Sequence, residues 1–215
     1  MAEMIMDGIL ETLYMTIVST ILAYVFGLPL GVLLVVSGKN GIKPMPTINV
    51  IISFIVNVFR SIPFLILLVA IIPFTRFIVG TMLGSTAAIV PLTVAAAPFV
   101  ARLVETSLSE VDSGVVEAAE SMGAGTWQII RKVLLPEAKP SLINNATVAT
   151  ITILGYSAMA GFTGGGGLGD IATRYGLYNF DTGTMWLVVV IIVVIVQIMQ
   201  EIGIRIAKVT DNRMR

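Results

Sequence analysis

Cysteine and histidine are both absent from the 215 residues of the sequence. Without cysteine there are no disulfides and no thiolate chemistry, and without either residue the usual zinc ligand sets and histidine acid–base catalysis are excluded. Charged residues are also scarce, at 12%, where soluble domains carry roughly 25%. We therefore expect no catalytic residues, no metal site and no enzyme activity in this chain.

Apolar residues dominate what is present. They make up 56% of the chain, and the mean hydropathy is +0.96, so lipid is the expected surrounding for much of the surface. The formal net charge is zero, which gives no reason to expect a nucleic-acid partner. The amino terminus, Met1 to Asp7, is acidic and unlike the basic start of a secretory signal, so the first apolar stretch is expected to remain in the mature protein.

Long uncharged runs separate the few charged residues. They cover 12–38, 77–101, 140–169 and 182–200, and only Arg60 interrupts the stretch 44–75. A helix needs about 20 mostly apolar residues to cross the hydrocarbon core of a bilayer. The sequence therefore predicts an all-α membrane protein with five spans, at about 11–36, 47–73, 84–107, 140–161 and 183–206.

Lysine and arginine give the orientation, because cytoplasmic loops are enriched in them. Five spans place Arg76 and Arg174 on one side. The other side receives Lys39, Lys43, Arg102, Arg131, Lys132, Lys139, Arg205, Lys208, Arg213 and Arg215. We predict that the carboxyl terminus is cytoplasmic and the amino terminus outside.

Glycine and proline lie within the predicted spans. They include Gly27, Gly31, Pro63, Pro91, Pro98 and Gly155. Proline bends a helix, and small residues allow helices to approach closely. These positions fit either tight helix packing or helices that rock against each other.

The predicted cytoplasmic loop between spans three and four has its own helical signals. Asp112 and Ser113 are helix-capping residues, Gly123 and Gly125 end the first short helix, and Thr126 is expected to cap a second. Pro136 is suited to open the next helix. The apolar residues of this loop fit either a partner protein or packing against the chain's own membrane domain, and the sequence leaves both open.

The loop resembles the Glu-Ala-Ala motif of the permeases of ATP-binding-cassette (ABC) importers, which have a type I transmembrane domain. The resemblance lies in Glu117-Ala118-Ala119, in Gly123 four residues later, and in Val133-Leu134-Leu135-Pro136. Among these, the bacterial methionine-importer permeases are similar over much of the chain, in segments 57–64, 72–76, 88–93, 97–99, 131–138 and 155–159. The resemblance implies one transmembrane domain over residues 8–206, with a coupling loop at 112–136.

This resemblance implies a permease without an ATP site of its own in the bacterial cytoplasmic membrane. The expected partners are a second copy of the chain, two ATPase subunits that bind ATP and magnesium, and an extracytoplasmic substrate-binding lipoprotein. The expected substrate is methionine, as the D or L form or both. The residues expected to contact the ATPase are Glu117, Ala118, Ala119, Gly123, Val133, Leu135 and Pro136.

Two groups of residues are predicted to line the pathway or its gate. Arg60 is a charge inside a predicted span, which usually faces a cavity or a partner, and Asn57 lies one helical turn away. The other group is Tyr156, Ser157 and Met159 in span four. Snorkelling for Arg60 and helix packing for Met159 are the structural alternatives.

Two other functions remain open from the sequence. One is a permease for another small amino acid or a dipeptide. The other is an ion-coupled transporter that acts alone, although few ionisable residues lie inside the spans to carry an ion relay. A phosphate loop is not evident, because Gly38-Lys39 lacks the preceding glycine.

Overall fold

The fold is described from a computed structural model, for residues 1–210. All the regular elements in this part of the chain are helical. They are α1 (Ala2–Ser37), α2 (Pro46–Ser61), α3 (Phe64–Ala70), α4 (Ile72–Val79), α5 (Ser85–Ser109), α6 (Ser113–Ser121), α7 (Thr126–Ile129), α8 (Leu135–Glu137), α9 (Lys139–Ala160), α10 (Gly167–Ile171) and α11 (Thr182–Thr210). Wider π turns follow α7 at Ile130–Leu134 and α10 at Ala172–Tyr178, and a 3₁₀ turn follows α9 at Gly161–Thr163.

Helices α1, α5, α9 and α11 are long and apolar enough to cross a membrane, and a bent pair, α2 with α3, makes a fifth crossing if it is counted as one span. The first, third, fourth and fifth predicted spans fall on the four long helices. The membrane boundaries and the orientation stay predictions. Arg213 and Arg215, which support the predicted cytoplasmic carboxyl terminus, lie outside the described residues.

The second predicted span, 47–73, is not one helix. Helix α2 ends at Ser61, and α3 leaves it at an angle of 99°. Ile62 is extended, at φ −83° and ψ 122°, and Pro63 precedes α3. The break follows from Pro63, because proline lacks an N–H and disfavours a helical conformation in the residue before it.

Helices α1 and α5 run side by side in the same direction and form the centre of the bundle. A β-carbon on Gly27 would lie 2.7 Å from the backbone oxygen of Ala97, and one on Gly31 would lie 2.6 Å from that of Ala101. Spacing by four residues places both glycines on one face of α1. The two glycines therefore serve close packing of helices within one chain.

Helix α11 packs on α9 and leaves most of its surface open. Most of its exposed residues between Trp186 and Ile198 are apolar, and they include Val190 and Val194. At its start, the Asp181 carboxylate accepts hydrogen bonds from the hydroxyl of Thr184 at 2.6 Å and from its backbone N–H at 3.1 Å. These bonds lower the pKa of Asp181, and a carboxylate at this helix end also suits the helix dipole.

Candidate functional site

The predicted coupling loop, 112–136, folds as a compact helical unit. Helix α6 begins after Asp112, whose Oδ1 accepts a hydrogen bond from the backbone N–H of Gly114 at 2.8 Å. This is the N-cap that the sequence predicts. The Glu117-Ala118-Ala119 motif therefore lies in the middle of a short, capped helix.

Gly123 fixes the turn that ends α6. Its φ is +79°, a conformation that glycine adopts without steric cost. Its N–H donates to the oxygen of Glu120 at 2.8 Å, and the Ala124 N–H donates to that of Ala119 at 3.1 Å. These two bonds form a Schellman motif, so the glycine of the motif sets the direction in which the chain leaves α6.

The second half of the loop differs from the prediction in one detail. Thr126 is the first residue of α7 and not its cap, because Gly125 takes the cap position and Gln128 Oε1 accepts the Gly125 N–H at 3.0 Å. Pro136 opens the short helix α8, as predicted, and Pro140 lies at the start of α9 in the same way. Both prolines lie in first turns, where their missing N–H costs nothing.

The loop has an inner and an outer apolar face. The inner face contains Ala119, Ile129, Ile130 and Leu134, which are buried in the main core, and Val133 and Leu135, which pack against it. The outer face contains Val115, Met122 and Trp127, which are 44%, 82% and 69% exposed. Glu117 and Ala118 are exposed too, and so are Gly123 and Pro136. The sequence left open whether the loop binds a partner or packs on its own membrane domain. The inner face packs on the membrane domain, and the outer face is exposed and can bind a partner.

A cleft of about 570 Å³ separates α6 from the ends of α1 and α5. Its lining includes three carboxylates, those of Glu105, Glu117 and Glu120. The Glu105 Oε2 lies 2.5 Å from Nη1 of Arg102. The cleft beside the motif is therefore acidic, and Arg102 partly neutralises it.

Asn57 and Arg60, predicted to line one polar cavity, are both exposed on α2. Asn57 Oδ1 accepts a hydrogen bond at 2.9 Å from Nη2 of Arg102 on α5. Arg60 lies in the last turn of α2, beside the break before Pro63. The polar group on this side therefore includes Arg102 and Glu105, which were not among the residues predicted from the sequence. Their spacing by three residues on a predicted helix is the signal that could have found them.

Tyr156, Ser157 and Met159 do not share one environment on α9. The Tyr156 ring stacks on that of Phe64 with centroids 4.7 Å apart. Ser157 is only 1% exposed, and its hydroxyl donates to the oxygen of Leu154 at 2.8 Å. Met159 is 36% exposed. Of the three predicted gate residues, Met159 alone is on an open surface of the chain.

Met159 ends a continuous open face of α9. The members of this face recur every three or four residues, and all are exposed except Thr152, which is partly buried. They are Asn144, Val148, Thr152, Gly155 and Met159. The open face mixes amide, hydroxyl, glycine and thioether groups, whereas the exposed residues of α11 between Trp186 and Ile198 are mostly aliphatic and aromatic. We interpret α11 as the surface toward lipid and the open face of α9 as a surface toward protein or water.

The glycine-rich segment at Gly164–Gly167 is held in place by α1. The Gly167 N–H donates to Glu11 Oε2 at 2.6 Å, and the Leu168 N–H donates to Thr12 Oγ1 at 2.9 Å. Gly164, Gly166 and Gly167 all have positive φ, which only glycine adopts easily. The glycines therefore shape a fixed turn.

Comparison with known proteins identifies close similarities over the whole chain. The family described as "binding-protein-dependent transport system inner membrane component" matches residues 27–215. A probable D-methionine transport system permease protein MetI of Vibrio cholerae is 50% identical over 212 residues, which are 99% of this chain and 94% of that protein. The D-methionine transport system permease protein MetI of Escherichia coli K12 is 56% identical over 161 residues, covering 75% of this chain and 74% of that protein.

Solved structures show the same fold. A chain of the MetNI methionine ABC transporter in an inward-facing conformation superposes with a TM-score of 0.97 at 50% identity, over 99% of this chain and 98% of that one. A chain from a crystal structure of an amino acid ABC transporter with histidines has a TM-score of 0.75 at 20% identity, over 99% of this chain and 94% of that one, which is a likeness of fold.

Proposed function

Because the chain belongs to the family of binding-protein-dependent transport system inner membrane components, we propose that it moves methionine, in the D form, the L form or both, as the permease subunit of an ABC importer. It is a multi-pass protein of the inner membrane. The substrate is proposed from the full-length similarity to MetI proteins and to a chain of the MetNI methionine ABC transporter. Hydrolysis of ATP on a separate subunit, which holds ATP and magnesium, supplies the energy.

The outer face of the coupling loop is the proposed docking surface for that ATPase subunit. Its support is the exposure of Val115, Met122 and Trp127 on a loop whose inner face is packed into the core, since an exposed apolar patch with a polar rim is typical of an interface. The proposal places α6 on the cytoplasmic side, as the distribution of lysine and arginine predicts. The buried inner face then transmits the movement of the ATPase to the spans.

A second copy of the chain completes the pathway in this proposal. Five crossings are few for a central route, whereas a two-fold dimer surrounds one axis with ten. The open face of α9 lines this route, because it combines polar and small residues at membrane depth. The extracytoplasmic binding protein delivers substrate to the opposite end, near Met159.

Single-cysteine labelling tests the assignment of the open face, and the chain has no native cysteine to remove. In the assembled complex, a membrane-impermeant thiol reagent added outside is expected to label Met159→Cys in one nucleotide state and not in the other. Ser157→Cys is expected to stay unlabelled in both, because position 157 is buried within the protomer. Equal labelling of both positions in all states would contradict the assignment of the open face.

The substrate is tested by the ATPase activity of the complete complex. With the binding protein present, D-methionine or L-methionine is expected to stimulate ATP hydrolysis more than other small amino acids or dipeptides do. Stronger stimulation by one of those compounds would keep the proposed role as a permease of an ABC importer and would change the proposed substrate to that compound.

A further inference from the structure

Polar side chains join α5 and α9 just above the coupling loop. Asn145 Nδ2 donates to Ser107 Oγ at 2.7 Å and to the backbone oxygen of Leu103 at 3.3 Å. The Ser141 hydroxyl donates to the same Ser107 Oγ at 3.2 Å. We call Ser107, Ser141 and Asn145 the polar clamp.

All three residues of the clamp are hydrogen-bonded within an apolar bundle. Ser107 is completely buried, and its own hydroxyl donates to the Leu103 oxygen at 3.0 Å. Buried polar groups that lose their partners destabilise a structure strongly. Sliding α9 along α5 breaks these bonds, whereas purely apolar contacts exchange more easily. The clamp therefore fixes the register of the two helices.

The position of the clamp connects it to the coupling loop. Ser107 lies two residues before the end of α5, and Ser141 lies two residues after the start of α9. The loop between them is helical and has a buried inner face. A push on the loop thus reaches α5 and α9 at the point where the clamp joins them.

We propose that the polar clamp makes α5 and α9 move as one body when the coupling loop is displaced, so that Ser107 and Asn145 are positioning residues for transport. This rests on the proposed function. Without the clamp, α5 and α9 slide against each other, and the movement of the loop is not transmitted to both helices. ATP hydrolysis then continues while less substrate is moved per ATP.

The chain contains a matched control with the same chemistry elsewhere. Asn49 Nδ2 donates to the backbone oxygen of Leu34 at 2.8 Å and to Ser37 Oγ at 3.1 Å. This group joins α2 to α1 and does not join the two helices that flank the coupling loop. Asn49→Leu removes equivalent hydrogen bonds and so reports the general loss of stability.

The test is the amount of methionine imported per ATP hydrolysed by the complete complex in proteoliposomes. Asn145→Leu is expected to lower this ratio by about fivefold or more, the lower end of typical coupling between sites, while ATPase activity persists. Asn49→Leu is expected to keep the wild-type ratio even if its thermal stability falls. Ser107→Ala, a smaller change that suits a helix, is expected to lower the ratio as well.

A parallel fall of transport and ATPase activity in both clamp variants, with an unchanged ratio, would show a purely structural role and overturn the inference. If Asn145→Leu does not assemble, Ser107→Ala decides by the same ratio. A wild-type complex that hydrolyses ATP without importing methionine would instead count against the proposed function. The two failures are thus distinguished by the wild-type measurement.

Discussion

Replacing Gly31 with leucine is expected to prevent stable folding of the membrane domain. A β-carbon at this position already lies 2.6 Å from the backbone oxygen of Ala101 and against Val104, so the larger side chain forces α1 away from α5. Overpacking of this kind lowers the free energy of unfolding by about 1–3 kcal/mol when neighbouring side chains can adjust. The loss is larger here because one neighbour is a backbone atom, which cannot move aside as a side chain does. The measurement is the amount of folded protein in membranes and its thermal unfolding midpoint in detergent.

Alanine variants provide the matched comparison. Gly31→Ala is expected to lower the unfolding midpoint, because its single β-carbon already overlaps α5. Gly155→Ala is expected to leave the midpoint unchanged or raise it, since nothing lies within 4 Å of a β-carbon there and alanine favours helices by about 1 kcal/mol over glycine. If Gly31→Ala and Gly155→Ala shift the midpoint equally, the close approach of α1 and α5 is not what stabilises the bundle.

Reversing the charge of Glu117 is expected to leave the permease in the membrane and to abolish its coupling to the ATPase. Glu117 is exposed beside an acidic cleft that Glu105 and Glu120 also line. A partner that fits this cleft presents positive charge, and like charges brought together at an interface cost several kcal/mol. Since about 1.4 kcal/mol is tenfold in affinity, Glu117→Lys is expected to lower ATPase binding and transport by about tenfold or more.

Co-purification of the ATPase subunit with the tagged permease measures the binding, and methionine uptake measures the transport. The matched charge reversal is Glu201→Lys on α11, where the exposed pair with Arg205 contributes little, about 0–1 kcal/mol. That variant is expected to behave as wild type in both assays. Full transport by Glu117→Lys would mean that this face of the coupling loop does not bind the ATPase.

Local signals allowed much of the fold to be predicted from the sequence. A membrane span appears in the sequence as a long uncharged run, whichever helices it packs against in the fold. The cap at Asp112 and the turn at Gly123 depend on residues within one helical turn of them. The family resemblance, which the comparisons confirm, rested on the same short segments.

Contacts between distant segments could not be predicted. The hydrogen bond between Asn57 and Arg102 depends on how the helices pack, and so does the one between Glu11 and Gly167. The spacing of residues along the sequence does not encode this packing. For the same reason, Ser157 and Met159 were grouped by sequence although one is buried and the other exposed. The bend at Pro63 has a local cause, yet its 99° angle depends on where α3 and α4 pack.

Uptake of labelled methionine into proteoliposomes is the most direct test of whether the chain acts as the permease subunit of an ABC importer. We expect uptake only when the permease, the ATPase subunit, the binding protein and ATP are all present, and none from the permease alone under a proton or sodium gradient. Gradient-driven uptake by the permease alone would contradict the proposed function and identify an ion-coupled transporter instead.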